Sequence, residues 1–137
     1  MQLSYTDGRF IPFNDALKDM RFTANEMVNA LDITYREYGA DSTLLSVALQ
    51  QNAVLLNGAG LMVARDLSKY QTPPPFGWKS IEMTDGAKGD EGAIGILRSG
   101  PVSNQSLALL KYAAQGMGHG HYDRLNLIYY NQGRELL

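Results

Sequence analysis

The feature that most limits what this chain can become is the break at Gln71-Thr72-Pro73-Pro74-Pro75-Phe76-Gly77. Three consecutive prolines fix φ and remove three backbone donors, so neither a helix nor an inner strand runs through them. The texture differs on the two sides. Before the break, apolar residues recur at helical spacing. After it, short apolar runs are separated by glycine and Asn/Asp turns. Helices first and strands second define an α+β chain, with a helical segment at 1–75 and an antiparallel β segment at 76–137.

In the first half a turn is expected at Asp7-Gly8, and Pro12 biases Ile11 to extended geometry. Asn14 is placed to cap a short helical turn from Asp15 to Met20. Thr23-Ala24-Asn25-Glu26 has capping-box spacing, and Met27, Val28, Leu31, Tyr35 and Tyr38 follow at helical intervals. They predict a helix over 24–38 closed by Gly39. A second helix is expected over 43–55, capped by Asp41 or Ser42, with Leu44, Leu45, Ala48, Leu49, Leu55 and Leu56 as its apolar side. The short connection makes these two an antiparallel pair. A third helix is expected over 60–69, with Leu61, Met62, Ala64 and Leu67 inward; Asn57-Gly58-Ala59-Gly60 lacks the flanking strand and Lys-Ser/Thr of a phosphate loop.

Strands are expected at 79–83, 93–98, 107–112, 125–130 and from Glu135 onward, the last two joined by Asn131-Gln132-Gly133. Thr84 to Gly92 reads as a hairpin loop, because its acidic residues do not match the ordered oxygen spacing of an EF-hand. Three helices form only a thin layer, and five strands with an unfinished edge do not close a sandwich. The final Leu136-Leu137 carries no polar tail. Both halves read as parts of a longer protein.

Composition removes several function classes. A net charge of −2 excludes a dominant basic nucleic-acid surface. The lack of cysteine excludes disulfides, thiolate zinc sites, iron–sulfur clusters and cysteine nucleophiles. No apolar run approaches the ~20 residues that span a bilayer. The opening residues have neither the basic nor the apolar region of a signal peptide. Hydrophobic residues at 45% are enough for a core.

The only two histidines fall together in Met117-Gly118-His119-Gly120-His121-Tyr122-Asp123. In an extended segment, residues two apart point to the same face, so His119 and His121 can serve one small volume as a metal site or an acid/base pair. Alternatively, this is a glycine loop that carries two histidines. A cupin-type site is excluded, since Leu125 and Asn126 stand where its glutamate is needed. Asp123 can hold a histidine tautomer from behind, or form a solvated turn with Arg124. Tyr35 and Tyr38 belong to an apolar helix face, and of Tyr129 and Tyr130 one faces in and one out.

The run Gly118-His119-Gly120-His121-Tyr122-Asp123-Arg124-Leu125-Asn126-Leu127, with its G-H-G-H-x-D block, resembles the heparinase II/III-like polysaccharide lyases. Asp7-Gly8-Arg9-Phe10, Pro12 to Ala16 and Leu56 to Leu61 resemble the end of the helical domain in the alginate-lyase-like branch. Thr84-Asp85-Gly86 and Gly95 to Gly100 resemble the first strands of its sandwich. The likeness runs over essentially the whole chain.

The resemblance implies the C-terminal helices of an (α/α) toroid followed by the first strands of a β-sandwich. It implies β-elimination on uronic-acid polysaccharides, alginate-like or glycosaminoglycan, by an exported enzyme. It also implies His119 as the catalytic sandwich histidine and His121 as a ligand of a structural zinc ion. The remaining zinc ligands and the catalytic tyrosine would lie outside residues 1–137, with Tyr5 the one candidate near the helical-domain entry. The chain alone is then expected to be inactive and a poor zinc binder, since one histidine cannot make a four-ligand site. From Ala93 onward four basic residues face two acidic ones, which favours a polyanion on the β side, with Arg124 as the expected substrate contact. Two rival readings remain: a non-catalytic relative that binds acidic polysaccharide, and an unrelated H-x-H metal hydrolase.

Overall fold

The computed structural model describes residues 1–12, 16–39, 41–70, 75–113 and 125–137. Among them the order is three helices and then five strands, the α+β arrangement expected. The chain divides into two compact units that interleave near its start. One holds Met1, Gly8–Phe10 and Asp19–Gly77; the other holds Gln2–Asp7, Ile11–Lys18 and Trp78–Leu137.

The helical unit contains α1 (Asn25–Tyr38), α2 (Ser42–Gln51) and α3 (Gly58–Lys69). The capping box does not form. Ala24 donates to the Arg21 carbonyl in a preceding turn, so Ala24, with no capping oxygen, becomes the N-cap and α1 starts one residue late. Gly39 closes α1 as expected. Tyr38, expected on the apolar face, is exposed. Residues 16–20 form a turn rather than a helix, and Asn14 and Asp15 lie outside the described residues.

Asp41 caps α2 by accepting from Thr43 N at 2.7 Å. Asn52 then enters the left-handed region (φ 50°, ψ 33°), where its N–H donates to the Ala48 and Leu49 carbonyls. Asparagine tolerates that conformation, so α2 ends four residues before the expected limit and Leu56 stands in solvent. Asn57 caps α3 through Gly60 N at 2.9 Å, two residues earlier than expected. That register buries Ala59, Gly60 and Val63 and turns Leu61 outward.

The helical core is Leu31, Tyr35, Leu45, Val47, Ala48 and Val63, each aliphatic side chain contributing about 1.5–3 kcal/mol by burial if leucine-sized. α1 packs against both α2 and α3. Gly60 permits the tight α2–α3 link: a Cβ there would sit 2.0 Å from the Leu55 carbonyl oxygen and 2.8 Å from Asp32 Oδ2.

The second unit is one antiparallel sheet in sequence order: β1 (Ile81–Asp85), β2 (Gly92–Ser99), β3 (Ser106–Ala113), β4 (Leu125–Asn131) and β5 (Arg134–Glu135). Gln132 and Gly133 have φ of 48° and 81°, the pair of positive values that a two-residue type I′ hairpin demands. Beyond β5, backbone bonds still join Tyr129 to Leu136 and Leu137. Period-two alternation puts Ile96, Leu107, Leu109, Ile128 and Tyr130 on one face, where Tyr5 and Ile11 complete the core. Tyr130 is the inward tyrosine of its pair, as alternation requires.

Candidate functional site

His119, His121, Asp123 and Arg124 all fall in 114–124, outside the described residues. What is described is their frame. β3 ends at Ala113 and β4 begins at Leu125, with Tyr112 opposite Leu125 and Lys111 opposite Asn126. Ala113 in turn pairs with Gly92, and Gly92 with Asp85. The β1–β2 hairpin and the two residues that bracket the histidine segment therefore share one end of the sheet.

That hairpin is a turn, as expected. Gly89 N donates to the Gly86 carbonyl at 3.0 Å and Glu91 N to the Asp85 carbonyl at 3.1 Å. Gly86 has φ 86°, and a Cβ on it would strike the Glu91 side chain at 2.5 Å. Next to it, the Tyr112 hydroxyl donates to Glu82 Oε1, and this bond, with some desolvation, raises the Tyr112 pKa. Among the described residues no three histidine, aspartate or glutamate side chains cluster as metal ligands. The chain offers two histidines and no cysteine. Zinc takes histidine, cysteine and carboxylate ligands, and the described residues bring no such group of three together.

Tyr5 is placed in the core rather than at a surface. It is 1% exposed, donates to Glu135 Oε1 at 2.6 Å and stacks on Tyr130 with ring centroids 4.1 Å apart at 15°. A phenol so engaged cannot reach a polymer without unpacking the sheet.

Two polar positions carry weight that the sequence reading did not assign. Arg98 donates from Nη1 to Gln105 Oε1 at 2.8 Å, and from Nη2 to the carbonyls of Gln2 and Ser4, each at 2.7 Å. Burial without a carboxylate partner pulls its pKa down to about 10, and its Nε is buried without an acceptor. Arg98 is therefore spent on holding the Gln2–Ser4 segment to β2 and is not a free cation for a polyanion. Its inward register after Ile94 and Ile96 is the signal that marks it.

Asp32 is fully buried in α1. It accepts from Leu55 N at 2.9 Å through Oδ2 and leaves Oδ1 unpartnered. Desolvation raises its pKa against the lowering effect of that one bond. It ties α1 to the α2–α3 link.

No family model matches the chain. Over all 137 residues it is 44% identical to an exo-oligoalginate lyase of Saccharophagus degradans and 40% identical to an alginate lyase of Stenotrophomonas maltophilia. It spans 18% of the length of each. Among the described residues no helix is long and apolar enough to cross a membrane.

Proposed function

We propose that residues 1–137 are part of a polysaccharide lyase that acts by β-elimination on a uronic-acid polymer, outside the cytoplasm. Within that class we take alginate as the substrate. The observation that carries this reading is the end-to-end similarity to two relatives that are both named alginate lyases. Similarity at this level over every described element makes a shared fold and shared chemistry the simplest account.

In this reading His119 exchanges a proton with the uronate at the scissile bond. An imidazole suits that task because its ordinary pKa lies near neutrality. The partner tyrosine comes from outside this chain, as the resemblance implies, and Tyr5 is committed to Glu135. Arg124 meets a substrate carboxylate, and Asp123 orients one of the histidines. His121 contributes one ligand to a zinc ion whose role is to hold the sheet's loops. Residues 1–137 alone then lack a complete site and do not turn over polymer.

The test uses the full-length parent protein with alginate and several glycosaminoglycans, following absorbance of the unsaturated uronate product. A signal with alginate that disappears in His119→Ala supports the reading. A signal that survives His119→Ala removes His119 from the chemistry. No signal with any polymer sinks the lyase assignment.

A further inference from the structure

The end of the sheet opposite Ala113 and Leu125 carries a polar pocket of about 420 Å³. Small-molecule sites run from roughly 300 to 1,000 Å³. The pocket lies wholly within the sheet unit. Thr6 and Asp7, the turn between β2 and β3 with Ser103 and Asn104, and Gln132 of the β4–β5 hairpin form its rim. Its floor is made by the buried Gln105 and Tyr130. Gln105 is 7% exposed, and its Oε1 accepts from Arg98 Nη1 at 2.8 Å. A guanidinium only donates, so this bond fixes which way the amide points. Nε2 is the atom left over, and it has no acceptor among the described residues. Arg98 thus presets a hydrogen-bond donor at the floor of the pocket, and a buried donor left unmet is costly.

We propose that this pocket binds one unit of an uncharged sugar, with Gln105 Nε2 donating to a sugar oxygen at the floor. A sugar hydroxyl both donates and accepts. The rim is matched to it: the amides of Asn104 and Gln132 and the hydroxyls of Thr6 and Ser103 can do both, and the Asp7 carboxylate accepts. Val102 is the one aliphatic side chain in the lining, too little for an apolar ligand.

The chemistry also separates this ligand from an acidic polymer. Among the described residues no cationic side chain lines the pocket, and its one acidic residue, Asp7, disfavours a uronate carboxylate or a phosphate. The eight residues of β3 put roughly 24 Å between the two ends of the sheet, so the pocket and the frame of the histidine segment are separate places. The inference does not rest on the lyase reading, and its test reads no activity.

The probes are glucose, mannose, galactose and N-acetylglucosamine, each titrated into the full-length parent protein and followed by saturation-transfer NMR. At least one is expected to bind saturably. Gln105→Glu keeps the shape and the acceptor for Arg98 but turns the floor donor into an acceptor. It is expected to weaken that sugar about tenfold while Tm holds or rises. Asn104→Ala, on the exposed rim, is expected to weaken it about threefold. His119→Ala is expected to bind as wild type does. No saturable binding of any of the four sugars would overturn the proposal, as would equal affinity in Gln105→Glu and wild type. Binding lost in His119→Ala would overturn it too, by moving the sugar to the histidine end. Should Gln105→Glu fail to fold, wild-type affinity in Asn104→Ala overturns the proposal and weakened affinity supports it.

Discussion

The Tyr5 hydroxyl donates to Glu135 Oε1 at 2.6 Å, across 130 positions of sequence. With the Tyr130 stack beneath it, this bond makes Tyr5 a closing piece of the sheet unit. Tyr5→Phe in the parent keeps the ring and is expected to cost about 1 kcal/mol of stability. Tyr5→Ala is expected to cost about 3–5 kcal/mol, read from urea midpoints. Initial rates on polymer should not change in Tyr5→Phe. Loss of about 10²-fold or more in that variant would return Tyr5 to the list of acid/base groups.

Gly60 and Gly58 begin the same helix and should answer substitution in opposite ways. At Gly60 an added methyl collides with the Leu55 carbonyl and the Asp32 carboxylate, so Gly60→Ala is expected to destabilise by about 1–3 kcal/mol. At Gly58 the nearest atom is Arg36 Nη1 at 4.0 Å, and alanine's helix preference is expected to give up to about 0.5 kcal/mol. The order of urea midpoints in the two variants and wild type checks the close approach at Gly60.

Lys69 at 2.9 Å, then Arg65 and Tyr35, hold the Asp66 carboxyl down to about 2 from its ordinary 3.8. The folded value is the lower one, so protons bind the unfolded chain first. Stability from Asp66 is complete above 3.8 and drains as pH falls towards 2. Tyr35 has the opposite sign. Burial, then its bond to Asp66, pushes it up to about 12, so its contribution is complete below 10 and drains as pH rises towards 12. Asp66→Asn should flatten the acid limb of Tm against pH. An acid limb of undiminished slope would show that Asp66 does not carry it.

His119 and His121 should separate by readout in the parent protein. His119→Ala is expected to abolish product formation and leave bound zinc unchanged. His121→Ala is expected to lower bound zinc, and with it Tm. Metal analysis beside the rate assay distinguishes the two; equal zinc content in both variants and wild type would end His121's role as a ligand.

The strands were legible because short apolar runs bounded by glycine and Asn/Asp turns are a local pattern: all five appear within two residues of the positions it indicates. The helix limits were less so, because tertiary and turn geometry overrode propensity. The turn that ends in Ala24 displaced Thr23 from the cap, and Asn52 stopped α2 while the leucine pattern ran on. Leu61 faces solvent because capping by Asn57 sets the phase of α3. The histidine block was legible only as a motif. Tyr5 and Arg98 acquire their roles from partners far away in sequence, which no window on the sequence contains.

Each strand of the sheet neighbours the one just before it, so the meander can assemble strand by strand as it leaves the ribosome. Its final fastening cannot. Tyr5 must wait for Glu135, about ten seconds of translation at ordinary speeds. Through most of that interval Tyr5 and Ile11 await Leu107, Leu109, Ile128 and Tyr130, core partners not yet made. Tyr5 thus stays unanchored until the β4–β5 hairpin turns.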